Sequence, residues 1–493
     1  MLIAERMESE RLRQIIREFQ RHRFGRRAES LPEDQLQLAL EDAEQVAATG
    51  QAESEQKNPA ERKVRATRRR TNRGKLPAHL PRIETVIDVP STVCPCCAGT
   101  LHRIGEDVSE RLDIVPAQFR VLVVRRPKYA CRACTEAIVQ APAPARLIEG
   151  GLPTEATVAQ VLVSKFADHL PLYRQAQIYA RQGVALDRST LADWVGRAAF
   201  LLRPVHERLL DRLKASSRLF ADETTAPVLD PGRGRTKTGQ LFAYARDDRP
   251  WGGSDPPGVA YVYAPDRKAE RPIEHLNGFK GILQVDGYGG YKVLARQGAV
   301  RLAFCWSHVR RHFYELATPG PAPIAAEALT HIAALYRIED EIRGRSAEER
   351  RAVRQERSRP LVEALGPWLR MKLQLISQKT RLATAIRYTL SRWQGLCLFL
   401  DDGRIEIDNN VVERSIRPLA LTRKNALFAG SDGGAEHWAV IASLIETCKL
   451  IGVEPYHYLA DVITRIVDGH PQSRLDDLLP WAYPAARELK AVA

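Results

Sequence analysis

Apolar residues recur every three or four positions in the first fifty residues, and this spacing predicts two amphipathic helices. The apolar positions are Leu12, Ile15, Ile16 and Phe19 in the first helix, and Leu36, Leu40, Ala43 and Ala47 in the second. Gly25 and the pair Leu31-Pro32 separate the two patterns. The heptads are too few to predict a coiled coil from spacing alone.

A strand-like pattern begins near residue 216 and continues to residue 305. It predicts strands at Arg218–Ala221, Gln240–Ala245, Val259–Tyr263, Ile282–Val285 and Leu302–Cys305, with helices at Pro272–Leu276 and Tyr291–Arg296. Three consecutive strands followed by alternating helices and strands, in the order βββαβαβ, are typical of an RNase H-like sheet. The sequence therefore predicts a multidomain α/β protein with an RNase H-like core.

Helical periodicity dominates residues 150–215. A helix at Tyr173–Arg181, a break at Gly183 and an N-cap at Ser189 predict a helix-turn-helix. Ordinary helical hairpins share this pattern, so Leu191 and Trp194 could equally pack in a core.

Composition and charge narrow the class of protein. The 493 residues suffice for about three domains. Their net charge of +14 favours a polyanionic partner. No stretch has the length and apolar character of a membrane span, and Glu5 and Arg6 argue against a signal peptide. The eight cysteines are too few for a disulfide scaffold, so we expect a cytoplasmic protein.

The segment Arg62–Lys75 contains eight basic residues and no acidic one. Such a composition cannot form a core and predicts an exposed or disordered basic arm. The arm is either a solvated linker or a contact to the DNA backbone, and its charge density favours DNA. The candidate phosphate-binding residues are Arg68, Arg69, Arg70, Arg73 and Lys75.

Paired cysteines predict a zinc site. Cys94 and Cys97 form one CxxC pair, and Cys131 and Cys134 form the second. Two residues between ligands allow a tight knuckle, and two knuckles supply four thiolates for one tetrahedral ion. The β-prone run Val121–Val124 lies between them. A structural zinc ribbon is favoured over a set of reduced buried thiols, and Cys96 is left as a spare.

Acidic residues at strand ends suggest a catalytic site. Asp222 and Asp286 follow two predicted strands that would be neighbours. Asp222 and Glu223 cannot both face one site if side chains alternate along the strand. Converging carboxylates can hold a pair of metal ions, and Glu413, on a helix predicted to begin near Asn410, is the candidate third acid.

Each acid also has a structural explanation. Glu413 could complete a capping box that begins at Asn410, and Asp408 and Asn409 could act as helix caps. Asp222 could form a turn, and Asp286-Gly287 is a common turn dipeptide. Glu406 lies in an alternating stretch that predicts a short strand. From the residues alone, structural and catalytic roles remain equal alternatives.

Long ordered motifs resemble the transposases of the IS66 insertion-sequence family, which are DDE-type enzymes. The motifs are YACRAC (129–134), KFADHLPLYRQ (165–175), ADET (221–224), LQVDGY (283–288), CWSHVRRHF (305–313), DNNVVERSIRP (408–418) and RKNALFAGSDGG (423–434), together with HRFGRRAESL (22–31). The resemblance covers nearly the whole chain.

The resemblance implies a function and a set of site residues. It implies a DNA transposase that cleaves and transfers strands with two Mg²⁺ ions bound by Asp222, Asp286 and Glu413. It also implies one structural Zn²⁺ ion, bound by Cys94, Cys97, Cys131 and Cys134. DNA, a homo-oligomer assembled on DNA and two small accessory proteins of the same element are the expected partners. The alternatives are an inactive DNA-binding scaffold and a nuclease without strand transfer.

Basic residues near the third acid could contact scissile phosphates. They are Arg414, Arg417, Arg423 and Lys424. His308 and Arg311 are expected near bound DNA, and Trp306 is expected to pack.

The expected domains are a zipper-type helical segment (1–60), the basic arm (61–82), the zinc ribbon (83–148), a helix-turn-helix-like segment (149–215), the first part of the core (216–318), a helical insertion (319–402), the last part of the core (403–447) and a C-terminal helical segment (448–493).

Overall fold

The computed structural model describes residues 54–55, 57–72, 118–130, 138–230, 233–296, 298–318 and 320–483. Two compact units divide the chain, Met1–Pro116 and Ala117–Ala493. The predictions for the helices before residue 50, for Arg73 and Lys75, and for the four cysteines of the zinc ribbon lie outside the described residues.

The described part of the first unit is a basic helix, α1 (Pro59–Asn72). The segment was predicted to be an exposed or disordered arm; it is exposed where its side chains are described, and it is helical. Ala, Arg and Lys favour helix, and the helix interior contains neither Gly nor Pro. Asn58 Oδ1 accepts the N–H of Ala60 at 3.2 Å, and Glu61 pairs with Arg65 at 2.9 Å, one turn later.

The second unit begins with a short hairpin, β1 (Lys128–Ala130) and β2 (Ile138–Gln140), whose strands pair antiparallel. The β-prone run Val121–Val124 is exposed and belongs to no strand of the described residues. Three helices follow: α2 (Glu155–Phe166), α3 (Leu172–Arg181) and α4 (Arg188–Lys214).

The helical hairpin of α3 and α4 packs in the core. Leu191 and Trp194 are buried, as the core-packing alternative predicted. Gly183 has a φ of +81°, which explains why a glycine separates the two helices. The N-cap of α4 is Asp187 and not Ser189, because Asp187 accepts the backbone N–H of Ser189 at 2.7 Å.

A five-stranded sheet forms the centre of the second unit, in the order β5-β4-β3-β6-β7. Its strands are β3 (Arg218–Asp230), β4 (Arg235–Arg246), β5 (Gly258–Ala264), β6 (Gly281–Val285) and β7 (Val300–Phe304). Helix α5 (Glu270–His275) precedes β6, and α6 (Gly289–Ala295) precedes β7. The predicted order βββαβαβ and the mixed α/β class are confirmed.

The sheet combines an antiparallel and a parallel half. Strands β3, β4 and β5 pair antiparallel, whereas β3, β6 and β7 pair parallel. The antiparallel half is longer, because β3 and β4 form an extended hairpin that continues to Asp230 and Arg235.

Further helices follow the sheet: α7 (Trp306–Ala317), α8 (Pro323–Ile342), α9 (Ala347–Val353), α10 (Arg359–Gln374), α11 (Arg381–Leu390), α12 (Trp393–Asp401), α13 (Asn410–Ala426), α14 (Asp432–Leu450) and α15 (Pro455–Val467). A π-helical turn, Arg354–Ser358, joins α9 to α10. The predicted short strand around Glu406 is wrong; this residue lies in the loop between α12 and α13.

Two hydrophobic clusters hold the helices to the sheet. The larger cluster packs α2, α4, α14 and α15 against the sheet. The smaller cluster packs α7, α8, α10, α11 and α12 around β7. Helix α14 also covers edge strand β5 with hydrogen bonds: Ser443 Oγ accepts the N–H of Tyr261 at 2.8 Å, and Thr447 Oγ1 accepts that of Val259 at 3.1 Å. The edge is thereby protected from pairing with another chain.

Candidate active site

Asp222 and Asp286 lie side by side where two parallel strands diverge. Phe220 is in register with Gln284, and each aspartate comes two residues later in its strand direction. Asp222 was predicted to end its strand, but it lies inside β3, because the hairpin with β4 continues to Asp230. The two carboxylates are nevertheless neighbours, since β6 ends at Val285.

Glu223 joins this pair, contrary to the prediction that it could not face the same site. One carboxylate oxygen from each of Asp222, Glu223 and Asp286 lies within 4.8 Å of the others. Strand alternation separates the Cβ atoms of Asp222 and Glu223, but pairing of β3 with β6 ends at Phe220. The longer Glu223 side chain can therefore reach around the unpaired edge.

Among the described residues, a basic side chain forms an ion pair with one of these three carboxylates, that of Glu223. Glu223 forms an ion pair with Arg267 and accepts the hydroxyl of Tyr291 at 3.0 Å. Burial, and then the charge of Asp286, raise the pKa of Glu223. Burial raises the pKa of Asp222 to about 8, with further contributions from Asp286, Glu223 and Glu413. Ionised Asp222 therefore needs a cation nearby.

Glu413 lies in the first turn of α13, as predicted. The capping-box alternative is wrong: the N-cap is Asn409, which places Glu413 one residue too late, and no side-chain cap bond is made. Glu413 Oε1 is buried and has no hydrogen-bond partner among the described residues. Of the two predicted caps, Asn409 is the N-cap residue but makes no side-chain cap bond, and Asp408, one residue earlier, accepts the N–H of Asn410 at 3.1 Å.

Asn409 connects the start of α13 to the sheet. It is 1% exposed, its Nδ2 donates to the carbonyl of Ala221 at 3.1 Å, and its N–H donates to Cys305 Sγ at 3.2 Å. Ala221 directly precedes Asp222, so these bonds fix the third acid relative to the first. Burial raises the pKa of the Cys305 thiol to about 12.

His308 was predicted to lie near DNA, and the structure places it against the third acid. Its Nδ1 is 3.7 Å from Glu413 Oε1. Trp306, two residues earlier, is fully buried and donates to the carbonyl of Leu396 at 2.9 Å, in agreement with its predicted packing role.

The predicted basic residues differ in how exposed their side chains are. Arg414, Arg417 and Lys424 are exposed on α13, and Arg311 is exposed on α7. Arg423 instead donates to Thr224 Oγ1 at 3.1 Å and to the Thr225 carbonyl at 2.6 Å, which ties the end of α13 to β3. The backbone of Arg68, Arg69 and Arg70 lies in α1.

Several residues near the acids were missed by sequence reasoning. Arg267 follows the turn residues Pro265-Asp266, which mark a turn but not its partner, and Glu223 was excluded by strand alternation. The helical insertion supplies Tyr388, whose hydroxyl donates to the carbonyl of Asp286 at 2.8 Å, and Arg392, which donates to that of Gly287 at 3.2 Å. Gly287 has a φ of +120°, and a Cβ there would lie 2.5 Å from Arg392 Nε.

The donor set suits a hard divalent cation. Carboxylate oxygens are the ligands that Mg²⁺ takes in proteins. The three clustered carboxylates and the raised pKa of Asp222 are the features expected where positive charge is to be bound.

Comparison with known families shows to which family the chain belongs. The family described as "Transposase IS66 family" matches residues 150–437, more than half of the chain. The chain belongs to the IS66 transposase family. The "zinc-finger binding domain of transposase IS66" matches residues 91–135, and the "IS66 C-terminal element" matches residues 443–481. Residues 11–85 match a domain described as "Transposase C of IS166 homeodomain".

Curated relatives of this IS66 family member come from Sinorhizobium fredii (strain NBRC 101917 / NGR234) and are named as uncharacterized proteins. Protein y4jD is 51% identical over 84% of this chain and 82% of its own length. Protein y4qI is 46% identical over 96% of this chain and 88% of its own length. Protein y4hP is 40% identical over 98% of this chain and 89% of its own length.

Membership in a transposase family identifies DNA as the partner, and the zinc-finger match supports zinc binding. Within the described part of the chain, no helix combines the length and the apolar character that crossing a membrane requires.

Proposed function

We propose that this protein is a DDE transposase that cleaves DNA and transfers strands with Asp222, Asp286 and Glu413 as its catalytic acids. The observation that carries the proposal is the convergence of Asp222 and Asp286 at the point where parallel strands β3 and β6 diverge. Strand order in the sheet is compatible with an RNase H-like core. Glu413 comes from a helix that Asn409 fastens to the residue before Asp222.

The acids would act as metal ligands and not as proton carriers. A pair of divalent ions in such a site activates the attacking oxygen and stabilises the leaving oxygen of an in-line displacement. Asp222 and Asp286, whose carboxylates lie close together, and Glu413 would supply oxygen ligands for these ions. The carboxylates bind and orient, and no covalent bond between protein and DNA is required.

The exposed basic side chains around the acids would hold the DNA. Arg414, Arg417 and Lys424 are exposed on the helix that carries Glu413, and Arg311 is exposed on α7. Guanidinium groups fit phosphate oxygens bidentately and could position a scissile phosphate. Helix α1, with Arg68, Arg69 and Arg70, would bind the DNA backbone without reading its sequence.

The zinc domain would bind one Zn²⁺ ion through Cys94, Cys97, Cys131 and Cys134. All four cysteines fall within the matched zinc-finger domain, and their CxxC spacing suits a tetrahedral site. The strands β1 and β2, which pair with each other, lie in the sequence on either side of the second CxxC pair. A homo-oligomer on DNA and small accessory proteins are further proposals that rest on the family.

The test is DNA cleavage by the full chain on a plasmid that carries the ends of the element. Wild type should cleave and join a 3′-hydroxyl end to target DNA only when Mg²⁺ is present, and Asp286→Asn should do neither. Cleavage without joining would indicate a nuclease. Activity retained by Asp286→Asn would contradict the three-acid assignment.

A further inference from the structure

A second cluster of potential ligands lies beside the third acid. The Sγ of Cys305, a ring nitrogen of His308 and a carboxylate oxygen of Glu413 all lie within 4.8 Å of one another. Cys305 and His308 lie at the end of β7 and the start of α7, whereas Glu413 comes from α13. The tertiary fold therefore brings a nitrogen donor to the acid that the sequence places about a hundred residues away.

The contact between His308 and Glu413 is not a hydrogen bond. Nδ1 and Oε1 are 3.7 Å apart, both atoms are buried, and neither has a hydrogen-bond partner among the described residues. A buried polar atom without a partner costs about 1–3 kcal/mol, so such a pair needs an explanation. A metal ion about 2.1 Å from each of two ligand atoms holds them about 3.0 to 3.4 Å apart for right-angle to tetrahedral geometry. A displacement of a few tenths of an ångström would bring the pair into that range.

A second His–Glu pair in the same protein shows the contrast. His457 Nδ1 lies 2.8 Å from Glu454 Oε2, and both side chains are nearly half exposed. The two atoms of that pair are within hydrogen-bonding distance and their side chains are open to water, so their hydrogen-bonding capacity is used. The pair at Glu413 lacks hydrogen-bonding distance, and its two facing atoms are shielded from water although the rest of each side chain is half-buried.

One further unpartnered polar atom belongs to a residue that contacts Cys305. Asn409 Oδ1 is buried and lacks a partner in the described part of the chain, and the N–H of Asn409 donates to Cys305 Sγ at 3.2 Å. Buried polar atoms left without a partner are a feature of places that a cation or its bound water occupies.

We propose that His308 Nδ1 is a metal ligand that shares an ion with Glu413, so that one of the two metal positions has a mixed nitrogen and oxygen ligand set. This inference rests on the proposed function. Cys305 is not assigned as a ligand, because its sulfur already accepts the N–H of Asn409 and burial favours the protonated thiol.

The nitrogen ligand has a consequence for metal choice. Carboxylates and water suit Mg²⁺ and Mn²⁺ alike, whereas imidazole favours transition-metal ions. We therefore expect the protein to bind Mn²⁺ more tightly than Mg²⁺ by a margin that depends on His308.

The test is Mn²⁺ binding by the full chain, observed by pulsed electron paramagnetic resonance. The echo modulation from a directly bound imidazole nitrogen should appear in wild type and disappear in His308→Asn. Asparagine places an amide oxygen where Nδ1 stood, so Mg²⁺ affinity should stay within about threefold of wild type while the preference for Mn²⁺ falls. His308→Leu offers no ligand atom and should weaken Mn²⁺ binding about tenfold or more, in line with the loss of metal-site contacts.

Matched variants separate the possible failures. His457→Gln removes the exposed histidine of the hydrogen-bonded pair and should leave both the nitrogen signal and the affinities unchanged. Asp222→Asn tests the proposed function itself. If Mn²⁺ affinity does not depend on Asp222, the assignment of the catalytic acids is wrong. If the affinity depends on Asp222 and Glu413, but the nitrogen signal is absent or survives in His308→Asn, only the role of His308 is overturned.

Discussion

At the scale of single residues, the site is defined by acidic groups that lie half-buried beside one another. Asp222 has Glu223 and Asp286 within 4.8 Å, and Arg267 neutralises Glu223 alone. The folded protein thus holds more negative charge at this place than its own cations balance. Two substitutions test this imbalance.

Glu413→Gln should abolish Mg²⁺-dependent cleavage and strand transfer and leave folding and DNA binding near wild type. Glutamine keeps the shape of the side chain and removes the charge that would bind the metal. The change in the free energy of unfolding should stay within about 0.5 kcal/mol, because Glu413 makes no capping bond. Cleavage assays and thermal unfolding of the same preparation provide the measurement.

Glu348→Gln is the matched control for that variant. Glu348 is an exposed glutamate in the first turn of α9, so its replacement should change neither activity nor stability. An active Glu413→Gln enzyme would end the assignment of Glu413 as the third acid.

Asp222→Asn should stabilise the metal-free protein, and more so as the pH rises. The pKa of Asp222 is raised from 3.8 to about 8, so the folded state binds this proton more tightly than the unfolded state does. The associated stability is fully present below pH 4 and is lost as the pH rises towards 8, by up to about 1.4 kcal/mol per pH unit. Asparagine has no such loss.

Thermal unfolding in a chelator, from pH 5 to pH 8, measures this effect. The difference between Asp222→Asn and wild type should widen with pH and shrink when Mg²⁺ is added, since the ion would stabilise wild type alone. If the difference in stability between Asp222→Asn and wild type stays constant across this pH range, the pKa of Asp222 is not raised in the folded protein.

At the scale of elements, the loop between α12 and α13 sets the position of the third acid. The side chain of Gln284, two residues before Asp286, pairs with both backbone groups of Glu406, at 3.0 Å each. The carbonyl of Ile407 accepts the N–H of Trp306 at 3.0 Å. The loop is therefore held by a side chain of β6 and by the backbone at the start of α7.

Buried ion pairs connect the same loop to the helical insertion. Arg350 is 2% exposed and lies 2.8 Å from Glu406 and 3.5 Å from Glu339. Arg354, fully buried, donates to Glu339 with two nitrogens at 2.8 and 2.6 Å. The insertion thus fastens the segment that leads into Glu413.

Arg350→Met should destabilise the protein by about 3–5 kcal/mol, because it leaves Glu406 buried and unpaired while Arg354 still holds Glu339. The double variant Arg350→Met/Glu406→Gln should recover part of that loss, since it removes the stranded charge. Urea unfolding of both variants gives the values. Arg351→Met, an exposed neighbour on the same helix, should change stability by less than about 0.5 kcal/mol.

At the scale of the whole molecule, a net charge of +14 and a transposase family give DNA binding a strong electrostatic component. Helix α1 concentrates part of this charge, with arginine at 62, 65, 68, 69 and 70. Five arginines within fourteen residues suit phosphate neutralisation, which is the use we propose for this helix.

Replacing Arg68, Arg69 and Arg70 together by Ala should weaken DNA binding equally for all sequences. Loss of three phosphate contacts should reduce the slope of log affinity against log salt by up to about 2.7. Fluorescence anisotropy at several salt concentrations measures the slope. The control replaces the exposed Arg343, Arg345 and Arg351 by Ala and removes the same charge from the helical insertion. If both triple variants show the same slope, α1 contributes no more to phosphate binding than the arginines of the insertion do.

Cys131→Ser should reduce the zinc content from about one ion per chain to none, because three ligands bind structural zinc far more weakly than four. Metal analysis of the purified chain measures this. Cys397→Ser, in helix α12, should retain the zinc. Zinc-free wild type that is fully folded would exclude the site.

Sequence patterning determined the order of the elements and the family. Alternating and helical spacings are local properties, so βββαβαβ and the start of α13 could be predicted before any contact was known. The family motifs are also local strings of residues. The acids Asp222, Asp286 and Glu413 could be named for the same reason, because each stands inside such a string.

Only the tertiary structure decided which side chains share a site with those acids. The pairing of β3 with β6 ends at Phe220, which lets Glu223 turn towards Asp286 against the rule of alternation. Arg267 and His308 reach the acids through turns and helix starts whose sequence has no period. Long-range contacts of this kind depend on register and on where strands end, and a local pattern does not contain that information.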